Sequence, residues 1–194
     1  MTKIKICGLK RNQDIHTVNK LLPEFIGFVF APSQREISFE QAKKLHSLLS
    51  PLIKTVGVFV EPSNKDVLAL YSMGVIQIAQ LHGNIAHKQI NFLQKNGLKT
   101  IHVVKNARSA KNSPAEYVMF DSPNPGSGKT ADLDKIPRQQ RPFVIAGGLN
   151  SSNVTQVIEK FHPDIVDVSS SIETNGKKDP QKIKEFIRSV RNAK

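Results

Sequence analysis

With 194 residues, 39% of them apolar, the chain is long enough for one barrel-sized domain, 1–194, and its composition excludes a disordered segment of that size. It has no apolar run near the ~20 residues that cross a bilayer and no signal-like apolar start, and its single cysteine excludes an internal disulfide, so a cytoplasmic protein with no membrane partner is expected. The formal charge of +12 favours anionic ligands, but the basic residues are spread along helical patterns. With no zinc-finger spacing, no RNP-like aromatic motif and no tryptophan, nucleic acid is not expected as a partner.

Short apolar runs alternate with helical patterns from end to end. Lys3–Ile6 reads as a strand that delivers Cys7, the sole thiol, to its end, with Gly8 next. A helix with Ile15, Val18 and Leu22 at helical spacing stops before Pro23. Phe25–Phe30 is a continuous apolar strand, as expected for burial on both faces, and the loop Ala31–Ile37 carries Arg35. Ser38 with Gln41 caps a second helix running to Pro51. Strand Thr55–Val60 follows, then a helix opened by Ser63 and Asp66 and closed by Gly74. Strand Val75–Gln80 leads to Leu81-His82-Gly83, helix four carries Ile90 and Leu93, and strand five is Lys99–Val104.

Lys105–Ala115 is polar with Pro114 near its end, so a loop or single turn is expected where the rhythm calls for a fifth helix. Strand Glu116–Phe120 leads into Asp121 and the Gly/Pro-rich loop 122–130, and Asp132–Ile136 leaves room for only a short helix before Pro137. Strand Phe143–Ala146 leads to Gly147-Gly148, with a helix opening near Asn150 or Ser151. Strand Asp164–Val168 precedes Ser169-Ser170-Ser171, and the last helix carries Ile183, Phe186, Ile187 and Val190.

Eight strands, each followed by a helix or its remnant, define an α/β chain of parallel βα units. The favoured architecture is a small (β/α)8 TIM barrel with the fifth helix reduced to a loop; an open doubly wound sheet of fewer strands is the alternative. In such barrels the reactive groups gather at the C-terminal strand ends. Those ends carry Cys7, Arg35, Gln80 with His82, Asp121, Gly147 with Gly148, and Ser169–Ser171. The loops after strands seven and eight fit a phosphate site: glycine amides approach an anion closely, a following helix lends its dipole, and Ser169 and Ser170 add donors. The same glycines also suit a plain tight turn.

Gly126-Ser127-Gly128-Lys129-Thr130 looks like the tail of a P-loop, but Pro123 stands where its first glycine belongs and Pro137 cuts the next helix short. What remains is an amide-rich loop suited to closing over an anion, or an ordinary surface loop. Asp121 is either a turn carboxylate or an acid whose pKa burial raises. Arg35 suits a planar anion clamp, and His82 is either a structural histidine or a base. No carboxylate or histidine pair shows metal-ligand spacing.

Taken together, seven stretches resemble the phosphoribosylanthranilate isomerase family of tryptophan synthesis: KICGL at 5–9, GFVF with the loop to Arg35 and ISFEQA at 37–42, VGVFV at 56–60, QLHG at 80–83, an aspartate then GSGKT at 121–130, AGGL at 146–149 and DVSSSIE at 167–173. The resemblance implies a cofactor-free, metal-free Amadori rearrangement of N-(5-phosphoribosyl)anthranilate to 1-(o-carboxyphenylamino)-1-deoxyribulose 5-phosphate. This is an aldose–ketose isomerisation and the third step from chorismate. It implies Cys7 as general base, Asp121 as general acid, Arg35 on the anthranilate, and phosphate held by Gly147, Gly148, Ser169 and Ser170, with Gly126, Ser127 and Gly128 closing over it. The small-molecule substrate would be the principal partner, with the chain acting as a monomer or homodimer.

Two departures stand out. Pro125 and Ser127 interrupt the family's usual GGTG, and Ser171 replaces its usual SSG glycine, which matters if that position needs positive φ. A thiol base also needs a lowered pKa near neutrality, for which Lys3 or Lys5 is a candidate source. The competing functions are another phosphosugar barrel, such as an indole-glycerol-phosphate synthase relative, for which no lysine acid and glutamate base are clearly placed, and a non-catalytic basic binding protein.

Overall fold

Ile4 and Ile6 pack outward against the helices while Lys5 and Cys7 of the same strand face the barrel axis, and this period-two division recurs around the sheet. The computed structural model describes residues 1–121 and 139–193. Strands β1 (Lys3–Cys7), β2 (Phe25–Val29), β3 (Lys54–Val60), β4 (Ile78–His82), β5 (Lys99–Val103), β6 (Tyr117–Phe120), β7 (Phe143–Ile145) and β8 (Ile165–Val168) close into a parallel barrel in chain order. Closure is made by β1 on β8, with Lys5 opposite Asp167 and Ile6 opposite Val168. The (β/α)8 barrel reading therefore holds, and the open-sheet alternative fails because neither edge strand is left unpaired.

Two apolar layers result. Inside, Phe25, Val56, Ile78, Ile101, Met119, Val144 and Ile165 fill the barrel from successive strands. Outside, Ile26, Phe28, Leu81, Val118 and Val166 meet the helices α1 (Asn12–Leu21), α2 (Phe39–His46), α3 (Asn64–Ser72), α4 (His87–Lys95), α5 (Ala107–Asn112), α6 (Val154–Phe161) and α7 (Pro180–Asn192). Each large aliphatic or aromatic side chain so buried contributes about 1.5–3 kcal/mol.

The helices begin where the sequence supplies caps. Ser38 Oγ accepts from the Gln41 amide and Ser63 Oγ from the Asp66 amide, both at 3.1 Å. The Asp179 carboxylate takes the Gln181 and Lys182 amides at the start of α7, where Pro180 occupies the first turn.

Four local expectations need correction. The fifth helix is present: α5 is a six-residue helix, not a loop. Its polar surface conceals buried Ala110, Asn106 Oδ1 caps the Ser109 amide, and Arg141 donates to the carbonyls of Ala110, Ser113 and Ala115 beyond it. Strand four starts at Ile78 rather than Val75, because Gln77 ties the preceding turn down by accepting from the Thr55 amide and donating to the Gly74 carbonyl. Helix α2 ends at His46, well short of Pro51. Helix α6 starts at Val154, not near Asn150, since Asn150 and Asn153 cap each other's amides in an intervening turn. The helix expected at Asp132–Ile136 lies outside the described residues.

An unanticipated element follows β8. A single 3₁₀ turn, Ser170–Ile172, leads into a small antiparallel hairpin of β9 (Glu173–Thr174) and β10 (Lys177–Lys178). Asn175 (φ 52°) and Gly176 (φ 71°) form its two-residue turn, the left-handed pair that such a tight hairpin requires. The Asn-Gly pair between two short polar runs was the signal for it in the sequence.

Candidate active site

Cys7, at the end of β1, opens on a cavity of about 280 Å³ at the C-terminal mouth of the barrel. Arg35, Gln80, His82, Asp121, Gly147, Gly148, Ser169 and Ser170 line the same cavity. Every site residue drawn from the sequence among the described residues thus converges on one space. Gly126, Ser127, Gly128 and Pro125 lie outside the described residues.

Three features shape the mouth. Gly8 has φ +80°, and a Cβ there would stand 2.5 Å from Arg35 Cδ, so the glycine after the thiol lets the arginine cross β1. Gly147 (φ +83°) and Gly148 (φ +68°) turn the chain sharply after β7, a conformation other residues adopt at a cost. The first residues of α6 do not line the cavity, so among the described residues the glycine turn and Ser169–Ser171 are what this side of it offers an anion. Ser171 has an ordinary negative φ, and its hydroxyl donates to the Leu149 carbonyl. The serine in place of the family's glycine therefore fits without backbone strain.

Arg35 does not project freely. Its Nε and Nη2 donate to Glu173 Oε1 and Oε2, each at 2.8 Å. Lys178 Nζ lies 2.7 Å from Glu173 Oε1 and donates to the Ser169 carbonyl at 2.9 Å. The hairpin after β8 so holds the guanidinium in place and leaves Nη1 outside the bidentate pair. The hydrogen bond to Glu173, above all, raises the Arg35 pKa. Burial would lift the Glu173 carboxyl, but Arg35 and Lys178 outweigh it and hold it below the usual glutamate range.

Beneath the mouth lies a buried charged group. Lys5 is 0% exposed, and its ammonium sits 2.9 Å from Asp167 Oδ2. Both it and the Cys7 sulfur border the space above Gly27, where a Cβ would stand 3.2 Å from Lys5 Nζ and 2.8 Å from Cys7 Sγ, and its charge lowers the thiol pKa. Burial alone would pull the Lys5 ammonium down, but Asp167 and Cys7 outweigh it and hold the pKa above the ordinary lysine value. Burial pushes the Cys7 thiol up, against the opposing pull of Lys5 and Lys178. Lys5, not the exposed Lys3, is thus the cation beside the thiol. Asp167 Oδ1 has no hydrogen-bond partner among the described residues, although it lies buried at the cavity wall.

His82 Nε2 pairs with Gln80 Nε2 at 2.9 Å. Burial, with the nearby Lys5 charge adding to it, lowers the imidazole pKa to about 4, so His82 is neutral near pH 7 and accepts from the Gln80 amide. Asp121 directly follows β6 and lines the cavity wall. Asp167, Glu173 and Lys178 had no assigned role in the sequence. Strand periodicity offered the signal for Asp167, since it stands two residues before Ser169 and so shares its face. Among the described residues, no cluster of histidine, cysteine and carboxylates suits a metal ion, and no helix is long and apolar enough to cross a membrane.

A closed parallel barrel whose polar and titratable groups meet at the C-terminal mouth defines a (β/α)8 barrel of enzymatic type. The family model for N-(5'-phosphoribosyl)anthranilate isomerase matches residues 4–189. A protein of Lacticaseibacillus casei (strain BL23) named N-(5'-phosphoribosyl)anthranilate isomerase is 47% identical over 191 residues, covering 98% of this chain and 96% of its own length. The crystal structure of phosphoribosyl anthranilate isomerase from Thermotoga maritima superposes with a TM-score of 0.87 at 33% identity, over 98% of this chain and 99% of that one. A crystal structure of phosphoribosyl anthranilate isomerase in complex with reduced 1-(o-carboxyphenylamino)-1-deoxyribulose 5-phosphate superposes with a TM-score of 0.81 at 30% identity, with coverages of 98% and 99%. The chain belongs to the N-(5'-phosphoribosyl)anthranilate isomerase family.

Proposed function

We propose that the chain isomerises N-(5-phosphoribosyl)anthranilate to 1-(o-carboxyphenylamino)-1-deoxyribulose 5-phosphate, the ring-opening Amadori step of tryptophan synthesis. The observation that carries the reading is the convergence of Cys7, Asp121, Arg35 and the Gly147-Gly148 and Ser169-Ser170 turns on one cavity, in a chain of this family. The reaction asks for one acid and one base on either side of a small sugar and for anion binding at both ends of the substrate. Strands one and six are well apart around the barrel, and both reach the mouth.

In this reading Asp121 protonates the ring oxygen, the C1–O bond breaks, and nitrogen lone-pair donation leaves a protonated Schiff base. Cys7, as thiolate, removes the C2 proton, and the electron pair of that bond neutralises the iminium to give the enolamine. Tautomerisation to the C2 ketone completes an isomerisation in which no atom is gained or lost. Arg35, aligned by Glu173, holds the anthranilate carboxylate, and the two turns bind phosphate, with Gly126, Ser127 and Gly128 completing that end. Asp167 Oδ1 is placed to accept from a sugar hydroxyl. The cavity is lined within one chain, so a monomer or a homodimer would serve, and the cytoplasm is the fitting compartment for a base that must stay a free thiol.

The test is the loss of phosphoribosylanthranilate fluorescence on adding purified protein, with the product identified by chromatography. Accelerated loss with formation of the ketone supports the reading; an unchanged decay removes it.

A further inference from the structure

Lys5 is placed as more than a packing element. Its buried ammonium lies 2.9 Å from Asp167 Oδ2 and shares the interior face of β1 with Cys7, two residues further along. Gly27 on the neighbouring strand leaves the space for this meeting: a Cβ there would stand 2.8 Å from Cys7 Sγ and 3.2 Å from Lys5 Nζ. A fully buried ammonium is tolerated only when paired, and Asp167 alone supplies that pairing. Its charge, this close to the sulfur, favours the ionised thiol over the neutral one.

From this geometry, and resting on the isomerase reading above, we infer that Lys5 is a positioning residue that sustains the Cys7 thiolate, with Asp167 anchoring its ammonium. The charges around the sulfur have opposing effects. Lys5 on β1, Lys178 on the hairpin and Arg35 after β2 favour the thiolate, whereas Asp167 on β8 opposes it. His82 on β4, the neutral imidazole facing Lys5, adds no charge near pH 7. The two members of the buried pair therefore act on the thiol with opposite sign, and a matching shift in the pH profile of turnover separates this role from packing alone.

The chain's single cysteine makes the measurement clean, because the ultraviolet absorbance of the thiolate reports one group. Lys5→Met should move the thiolate midpoint up by about 1–3 pH units. Asp167→Asn should move it down. The acidic limb of the kcat/KM profile should follow each shift, so that Lys5→Met is slow at neutral pH and recovers in alkali. Midpoints unmoved in both variants, or moved in the same direction, would overturn the inference. If Lys5→Met does not fold, Asp167→Asn is read alone. In the wild-type protein the nitrogen NMR signal of the Lys5 ammonium must then shift at the thiol midpoint, and a signal indifferent to it overturns the inference. Midpoints that move as stated in a protein without isomerase turnover would overturn the functional reading and leave the Lys5–Cys7 coupling standing. Turnover with unmoved midpoints would do the reverse.

Discussion

Arg35 and Glu173 meet edge to edge at the barrel mouth, Nε on Oε1 and Nη2 on Oε2, both at 2.8 Å. A guanidinium held on one edge by a carboxylate presents its remaining donors in a fixed plane, which is what recognition of a planar, charged anthranilate asks for. Arg35→Met should raise KM about 10- to 100-fold, the loss of one charge-assisted contact, with kcat far less affected. Glu173→Gln keeps the arginine but loosens it, so KM should rise by a smaller factor. It also removes the countercharge of Lys178, which is 4% exposed, so the melting temperature should fall in this variant, as thermal melts would show.

The acid and the base are expected to dominate turnover. Cys7→Ala and Asp121→Asn should each lower kcat by about 10²–10⁴-fold, with circular dichroism and thermal melts close to wild type. Near wild-type turnover in Cys7→Ala would remove the role given to the thiol.

Gly27 supplies a control on position rather than chemistry. A Cβ there would stand 2.8 Å from Cys7 Sγ and 3.2 Å from Cys7 Cα, so Gly27→Ala must displace the thiol without removing it. Turnover should fall by up to about 10²-fold, the scale of a misplaced reacting group. Thiol titration would confirm that the cysteine is still present and ionisable.

His82 makes a pH prediction with a definite sign. Its folded pKa of about 4 lies below the unfolded value near ~6.5, so between these pH values the unfolded chain binds more protons. The stability from keeping His82 neutral is therefore fully present above the unfolded pKa and is lost as pH falls toward 4. The loss should be about 2 kcal/mol between neutrality and pH 5. Urea unfolding of wild type and His82→Gln at both pH values isolates it: the difference in stability between the two proteins should shrink on acidification.

Much of this was legible in the chain because a parallel barrel repeats one pattern. Apolar runs separated by helical spacing gave all eight strands, and the residue after each strand gave Cys7, Asp121, Gly147 and Ser169 at a shared mouth. What escaped depended on pairings distant in sequence. Lys5 and Asp167 lie 162 positions apart and meet only when β1 closes on β8. Arg35 and Glu173 meet only once a six-residue hairpin, too short for any periodic signal, folds over the mouth. Helix α5 was missed for a related reason, since its C-terminal carbonyls are satisfied by Arg141, which is remote in sequence.

The central claim, that the sugar reacts between Cys7 and Asp121, is tested most directly by a crystal structure of this protein with reduced 1-(o-carboxyphenylamino)-1-deoxyribulose 5-phosphate. The carboxylate should lie against Arg35, the phosphate on the Gly147-Gly148 and Ser169-Ser170 turns, and the sugar carbons with the thiol on one side and the Asp121 carboxyl on the other. A ligand seated in the mouth with its sugar out of reach of both side chains would contradict it.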